Sequence, residues 1–287
     1  MTRIGAMIKR DIAPEHVAPL AAAVAPGLDE LWVIEDLNWA GGISQLTAVL
    51  NATDSDAAGR PLVGHGIAPA PFRNPAALAM EWASVARMHP GRVIAGVGHG
   101  VPSWMHQLGE DVASPLTLLR ETIESTREIL AGNRVTYEGR YVNLADVELV
   151  FAPTEPVPVI AGVTGPKSLR LSGEVADGTV IAEGFDPKQL AAARRSIDEG
   201  RAAAGRTDPH HVYVFTGFYC GDVSLIPPAP PDVPDGFAAV GPDPESVAAQ
   251  LQSLVDAGAD SLIVIPFGPD LEQIRRFTDE IVPLLKL

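Results

Sequence analysis

Side chains that can transfer protons follow two short apolar runs of the sequence. Residues 31–35 (LWVIE) end in Glu35, and Asp36 comes next, so two adjacent carboxylates stand at the end of a candidate strand. Residues 93–98 (VIAGVG) are followed by His99. Carboxylates and imidazoles are common general acids and bases. Because neighbouring strand residues face opposite sides, we expect only one carboxylate to face a site; the alternative is a solvated acidic loop or a helix cap.

A turn in the middle of the chain has the composition of an anion site. An apolar run ends at Gly162 and passes through this turn into a helix with a proline near its start. The turn carries Thr164, Gly165, Lys167 and Ser168. Free amides at a helix start attract anions, although the spacing is not that of a P-loop. The sequence therefore predicts a phosphate-binding turn, with a plain strand-to-helix connection as the alternative.

Residues 61–68 (PLVGHGIA) form a third apolar run that ends among functional residue types. Gly66 lets a ligand approach the backbone closely, and Arg73, a few residues later, can pair with an anion. His65 stands alone, and a lone histidine is more typical of a packing residue than of a catalyst.

Glycines also alternate around His99, at Gly96, Gly98 and Gly100. This spacing predicts a nearly bare backbone for a flat or phosphorylated ligand. Close packing of strands also uses glycines, and it is the alternative interpretation.

The elements that must position these residues alternate along the chain. Short apolar runs and longer amphipathic runs follow one another, which is the pattern of βα units. Strands are predicted at residues 3–9, 31–35, 61–68, 93–98, 157–162, 178–182, 212–217 and 262–266. Helices are predicted at residues 14–25, 42–52, from 74 onward, 115–130, 166–175, 187–204, 244–257 and 271–284. Residues 134–142 are predicted as a small β-hairpin, and the proline-rich segment 225–235 as an extended surface loop.

Eight such units favour a (β/α)8 TIM barrel with a small inserted β-hairpin, formed by residues 1–287 as a single domain. The alternative, an open doubly wound sheet, lacks the GxGxxG sequence after its first strand. In a barrel, the chemistry takes place at the C-terminal ends of the strands. All the candidate residues above lie at such ends.

Composition excludes several classes of function. The net charge of −15 argues against nucleic acid and against an anionic membrane surface. The single cysteine, Cys220, cannot form an internal disulfide or a cysteine-based zinc site. No HExxH or GxSxG sequence is present, so neither a metal site nor a serine hydrolase is predicted. The N-terminus has no signal-peptide pattern, so we expect a cytoplasmic protein.

Several segments together resemble the bacterial luciferase-like superfamily, whose members are flavin-dependent or coenzyme F420-dependent oxidoreductases. The segments are LWVIED, GHGIAPAPFRNPAALAMEWASVARMHPGRVIAGVGHG, PVPVIAGVTGPKSLRLSGEVADGTVI and VGPDPESVAAQLQSLVDAGADSLIVIP. The resemblance covers most of the chain in the right order. It implies a (β/α)8 barrel with a tricyclic cofactor across its mouth.

The resemblance to the F420 branch also implies a set of cofactor-binding positions. A cis peptide bond between Gly66 and Ile67 is implied, at a bulge that backs the deazaflavin ring. The cofactor-binding positions are Glu35, Gly66, Ile67, Ala68, Gly98, His99, Gly100, Gly162, Thr164, Gly165, Lys167 and Ser168.

This chain departs from the family at two positions. Where F420-dependent glucose-6-phosphate dehydrogenases carry Asp-His after the second strand, it has Glu35 and Asp36, and Val101 replaces their glutamate after the fourth. That sugar-phosphate activity is therefore not expected. The loop at 225–235 is also shorter than usual, which implies a more open or differently covered pocket.

We therefore expect an oxidoreductase that moves a hydride between F420 and a small organic substrate, with Asp36 or His99 as proton donor or acceptor. One alternative is an FMN-dependent monooxygenase, and another is a non-catalytic barrel that only binds a partner. The resemblance implies a homodimer. Apolar pocket candidates, which core or oligomer contacts would explain equally well, are Trp39, Trp104, Met105, His106, Phe218 and Tyr219.

Overall fold

A computed structural model describes residues 1–54, 60–226, 228 and 236–287. The strands are β1 (Arg3–Met7), β2 (Glu30–Val33), β3 (Leu62–Pro69), β4 (Val93–Gly98), β5 (Val135–Glu138), β6 (Asn143–Val147), β7 (Val159–Gly162), β8 (Gly178–Ile181), β9 (His211–Cys220), β10 (Ala238–Gly241) and β11 (Ser261–Pro266). The helices are α1 (Pro14–Val24), α2 (Gly42–Ala52), α3 (Pro75–Met88), α4 (Pro102–Leu108), α5 (Pro115–Leu130), α6 (Pro166–Val175), α7 (Pro187–Ala203), α8 (Pro244–Asp256) and α9 (Asp270–Arg276).

The described strands confirm the predicted barrel. Neighbouring strands run parallel in the order β11, β1, β2, β3, β4, β7, β8, β9, and β9 pairs with β11 to close the ring. Strands β5 and β6 form the separate antiparallel hairpin. Helices α1, α2, α3, α5, α6, α7, α8 and α9 alternate with the barrel strands, as in a (β/α)8 fold. Within the described residues, no helix is both long enough and apolar enough to span a bilayer.

Two apolar layers pack on the two faces of the closed sheet. The larger layer lies between strands and helices, and the smaller one fills the barrel interior. The Trp32 ring meets Tyr213 and Phe215 edge-on in this interior, at centroid distances of 5.0 and 5.2 Å. Such pairs add about 0.5–1.5 kcal/mol each to the stabilisation from burial. The barrel is therefore a packed core below its mouth.

The hairpin differs from its prediction. Residues 134–142 were expected to contain both strands, but the second strand begins only at Asn143. The backbone amides of Arg140, Tyr141 and Val142 donate instead to the buried carboxylate of Glu121, at 2.7, 2.8 and 2.9 Å. These three residues therefore form the turn, and Glu121 on α5 anchors it.

Strand β10 is an element that the sequence analysis missed. Strand β9 is longer than predicted: its first half pairs with β8, and its second half, from Gly217 to Cys220, pairs with β10. Strand β10 thus pairs with the part of β9 that extends beyond its pairing with β8. Most of the predicted loop 225–235 lies outside the described residues.

The C-terminal helix was also predicted too long, at residues 271–284. Helix α9 ends at Arg276, and one π turn (Phe277–Ile281) and one 3-10 turn (Val282–Leu284) follow. Pro283 lies in the last turn, and because proline has no amide hydrogen it cannot continue α-helical hydrogen bonding.

Three aspartates close the N-terminal end of the barrel in the same way. Each precedes a strand, and its carboxylate accepts the amide hydrogen of a residue in the preceding barrel strand, at 2.9 Å. The pairs are Asp29 with Ile4, Asp177 with Val159 and Asp260 with Val212. Residues Ala176, Asp177 and Gly178 belong to one of the sequence segments that resemble the family. They therefore stabilise the end of the barrel that lies opposite the mouth.

Candidate active site

The alternation along β2 separates the two adjacent carboxylates. Trp32 faces the barrel interior, whereas Leu31 and Val33 face the helices. The same alternation puts Glu35 on the helix side and Asp36 on the axis side of the mouth. That only one of the two carboxylates faces the site stays a prediction, and the alternation favours Asp36 as that residue.

Glu35 is held inside the wall of the barrel. It is 6% exposed, its two oxygens accept from Arg73 at 2.6 Å each, and one also accepts the Gly42 amide hydrogen at 3.2 Å. Burial raises the pKa of Glu35, but Arg73, His65 and the Gly42 amide outweigh burial and bring it below its usual value. Glu35 therefore stays ionised and links β2 to α2 and to the loop after β3.

His65 is a packing residue, as its isolation in the sequence indicated. It is fully buried, and its Nδ1 accepts a hydrogen bond from the Trp82 indole at 3.2 Å. Its Nε2 lies 3.7 Å from the Glu35 carboxylate. Because burial lowers the pKa of His65 to about 4, the ring is neutral at pH 7.

Asp36 stands at the mouth in an ion pair. Its Oδ2 accepts from Arg10 at 3.0 Å, and the same guanidinium lies over the ring of Trp39, 5.3 Å from the centroid. Trp39 is 51% exposed. A carboxylate at the mouth is a candidate general acid or base.

Ile67 occupies the space that the glycine pattern was expected to leave for a ligand. A Cβ atom built on Gly98, Gly162 or Gly96 would lie 2.3, 2.7 or 2.9 Å from the Ile67 side chain. The register between β3 and β4 shifts at this point, and the Gly66–Ile67 peptide is cis, which confirms the expected position. The glycines therefore accommodate Ile67, and the half-buried Ile67 forms an apolar platform at the mouth.

Ala68 is the exception among the predicted cofactor residues of β3. It is 0% exposed and belongs to the apolar layer between strands and helices. Its side chain thus faces away from the mouth.

The predicted phosphate-binding turn and the strand-four loop meet in space. His99 Nε2 lies 2.9 Å from Ser168 Oγ in the first turn of α6. Thr164, Gly165 and Lys167 are exposed, and no side chain caps the start of this helix. The first amides of a helix have no partner inside it, so this cluster of donors can bind an anion.

His99 belongs to this cluster rather than to the barrel axis. Ile94 faces the interior, Ala95 and Val97 face the helices, and the alternation puts His99 on the helix side. Burial lowers the pKa of His99, which favours the neutral ring. A catalytic role for His99 stays a prediction, and its position favours a role as a hydrogen-bonding partner of Ser168.

Helix α4, which the sequence analysis missed, covers the strand-four loop. A Cβ atom on Gly100, where φ is +73°, would lie 2.9 Å from Met105 Cε. The helix begins with Pro102, follows Val101 and ends at Gly109 with φ +72°. Proline at the start and a left-handed glycine at the end are the signals that predict such a short helix.

The apolar pocket candidates are dispersed. Phe218 is fully buried in the outer layer against Phe277, 5.5 Å between ring centroids, so it does not line the mouth. The His106 side chain is 84% exposed and lies 2.9 Å from Asp111. Tyr219 is buried, Trp104 is half-buried, and Trp39 and Met105 have the contacts described above. The sequence analysis missed Ile34 and Ile265, which pack on the interior layer, Phe215 within that layer, and Phe267, which packs on Gly217.

Comparison with known proteins gives a consistent set of similarities. A family model described as "Luciferase-like monooxygenase" matches residues 1–224. A 5,10-methylenetetrahydromethanopterin reductase from Methanolobus tindarius is 33% identical over 199 residues, 69% of this chain and 58% of that protein. An F420-dependent glucose-6-phosphate dehydrogenase from Microbacterium testaceum is 34% identical over 153 residues, 52% of this chain and 46% of that protein. This chain thus spans about half the length of these two relatives.

The fold is shared with a solved structure over its whole length. The coenzyme F420 dependent tetrahydromethanopterin reductase from Methanopyrus kandleri has a TM-score of 0.84 to this chain, with 21% identity and 99% of both chains covered.

Proposed function

This chain belongs to the luciferase-like monooxygenase family, and we propose that it transfers a hydride between coenzyme F420 and a small organic substrate. The observation that carries the proposal is the uncapped start of α6, which meets the strand-four loop through the His99–Ser168 hydrogen bond. Relatives named for F420 support this cofactor over FMN. The differences at Asp36 and Val101 argue against a sugar phosphate as the substrate.

The residues present fit such a cofactor. The amides and hydroxyls of Thr164, Gly165 and Ser168, with the Lys167 ammonium, would hold its phosphate, and Ile67 would support its ring. The bound cofactor would supply the carbon that donates or accepts the hydride. The net charge of −15 opposes an anionic ligand, so these local donors must outweigh it.

Asp36 suits the proton transfer better than the other two candidates do. It is on the axis side of the mouth, and the Arg10 guanidinium 3.0 Å away orients it. Glu35 is buried and bonded to Arg73 through both of its oxygens. His99 faces the helices. We therefore assign Asp36 as the group that accepts or donates the substrate proton.

The test of the proposed function is a fluorescence titration of the purified protein with F420 and, separately, with FMN. Micromolar binding of F420 and weaker binding of FMN would support the proposal. Preference for FMN would favour the monooxygenase alternative, and binding of neither would leave the non-catalytic barrel.

Lys167→Glu is expected to weaken F420 binding about tenfold at low ionic strength, because it replaces an attractive charge near the phosphate with a repulsive one. The loss should shrink at high salt, where exposed charges are screened. Titrations at 20 mM and 500 mM NaCl measure both effects. Lys188→Glu, at an exposed position in the first turn of α7, is the matched control. An unchanged affinity at both salt concentrations would remove Lys167 from the site.

A homodimer in the cytoplasm stays a prediction. Met80 and Met88 on α3 are 53% and 58% exposed, which favours a partner on this helix. Light scattering would detect a dimer as a mass of twice 30.2 kDa.

A further inference from the structure

A third ion pair lies across the barrel from the proposed phosphate-binding turn. Lys9 Nζ is 2.9 Å from Asp270 Oδ1, and the two side chains are only 21% and 16% exposed. Lys9 follows β1, and Asp270 begins α9 just after β11. In the ring of eight strands, β1 stands opposite β7, whose turn carries Lys167. A cofactor anchored by its phosphate at β7 therefore leaves the β1 and β11 side of the mouth to the substrate.

Lys9 points toward this side of the mouth. Met7 faces the barrel interior and Ile8 faces the helices. The Ile8 amide hydrogen still bonds to the Trp32 carbonyl, at 2.8 Å, so the strand pattern continues past the end of β1. The alternation then puts Lys9 on the axis side. An ammonium at this place would attract an anionic substrate unless its charge were neutralised.

Each lysine and arginine that the described ends of β11, β1, β2 and β3 bring to the mouth has a carboxylate partner, whereas Lys167 and Lys188, at the starts of α6 and α7, lie on the opposite side. Lys9 pairs with Asp270, and the other two pairs are Arg10 with Asp36, at 3.0 Å, and Arg73 with Glu35, at 2.6 Å. The segments 55–59 and 227–235, which include the undescribed residues, contain no lysine or arginine.

The side chains that the interior layer brings toward this end of the barrel are apolar. Phe215, Ile265 and Ile34 belong to the interior layer. Phe267 packs on Gly217, where a Cβ atom would lie 2.4 Å from the Phe267 ring. An anion that entered this side would lose hydration and find no free cation, which is costly. An uncharged apolar molecule would lose little hydration free energy on entering.

We infer that the substrate is an uncharged, predominantly apolar molecule, and that Asp270 sets this specificity by neutralising Lys9. The inference rests on the proposed function in one respect: the proposed cofactor position determines which side of the mouth is open to the substrate. Asp270 acts through Lys9 and is thus a specificity-determining residue without contact to the reacting atoms.

The test compares two probes that differ in charge and little in shape, hexanamide and hexanoate. Their binding is measured by ligand-observed NMR, with and without saturating F420. The wild type is expected to bind hexanamide at least about tenfold more tightly than hexanoate. Asp270→Asn, which frees the ammonium, is expected to raise hexanoate affinity about tenfold and to leave hexanamide affinity unchanged.

The controls separate a change of charge from damage to the fold. Asp270→Asn combined with Lys9→Met should restore the preference for hexanamide, and Glu272→Gln, at an exposed position on the same helix, should not change it. If Asp270→Asn does not fold, Lys9→Met alone is expected to weaken hexanoate binding further, because Asp270 is then unpaired.

Three results would overturn the inference: wild-type preference for hexanoate, an unchanged ratio in Asp270→Asn, or no binding of either probe. Because the NMR measurement does not require F420, a failure to bind the cofactor is recorded separately and contradicts only the proposed function.

Discussion

Replacing Arg73 with leucine is expected to lower the free energy of unfolding by about 3 kcal/mol at pH 7, because it leaves the buried carboxylate of Glu35 without its cation. The guanidinium supplies both of its 2.6 Å hydrogen bonds to a side chain that is 5% exposed. Arg73 itself is 31% exposed, which puts the expected cost at the lower end for a buried pair. Urea denaturation of the two proteins measures the difference.

The pH dependence of this loss identifies its cause. In the wild type the pKa of Glu35 lies below its usual value, so the pair stabilises the fold above the unfolded pKa, and this stabilisation disappears as the pH falls through the folded pKa. Without Arg73, burial would raise the pKa of Glu35, so the destabilisation should be greatest at pH 7 and smaller near pH 5. Glu35→Gln combined with Arg73→Leu should be more stable than Arg73→Leu alone, because no charge is buried. A loss that is independent of pH would contradict this account.

Gly200→Ala is expected to destabilise the protein by about 2 kcal/mol and to weaken F420 binding. Helices α6 and α7 pack backbone to backbone: a Cβ atom on Gly200 would lie 2.0 Å from the Arg170 carbonyl oxygen, and one on Gly173 would lie 2.1 Å from that of Ile197. The added methyl group must move α6, which carries the anion site at its start. Urea denaturation and F420 titration of the same preparation measure the two effects.

Gly41→Ala is the matched control for this substitution. A Cβ atom there would have Ser44 Oγ, at 4.0 Å, as its nearest neighbour, and φ is −68°. Equal stability of the two variants would show that α6 and α7 can separate at no cost.

Much of the barrel could be predicted because residues close in the sequence determine where each strand and helix begins and ends. Strand β4 and helices α2, α5 and α6 have the predicted bounds. Strands buried on both faces read as apolar runs, and prolines mark the first turns of most of the helices. The sequence analysis did not predict strand β10 or helix α4. Strand β10 forms by pairing with the C-terminal half of β9, and α4 is only seven residues long.

The candidate site could be predicted less completely, for a geometric reason. The residue types at the strand ends were recognisable from the sequence. The direction in which each side chain points, however, depends on whether its position along the strand is odd or even. The bulge at Gly66 and Ile67 changes that parity, so Ile67 fills the space over the glycines of β4 and β7. The hydrogen-bonding partners of these side chains could not be predicted either, because Arg73 and Glu35 are 38 positions apart in the chain and His99 and Ser168 are 69 positions apart.

The sequence by itself determined the (β/α)8 architecture and the helix start that can hold a phosphate, because periodicity, proline and glycine act over a few residues. The family followed from the resemblance of whole segments rather than from these local signals. Only the tertiary structure decided that Glu35 pairs with Arg73 and that His99 lies beside Ser168. It also decided that Lys9 meets Asp270, 261 positions away. Charges far apart in the chain neutralise each other only where the closed barrel brings them within a few ångströms, and that closure determines which charges a substrate meets.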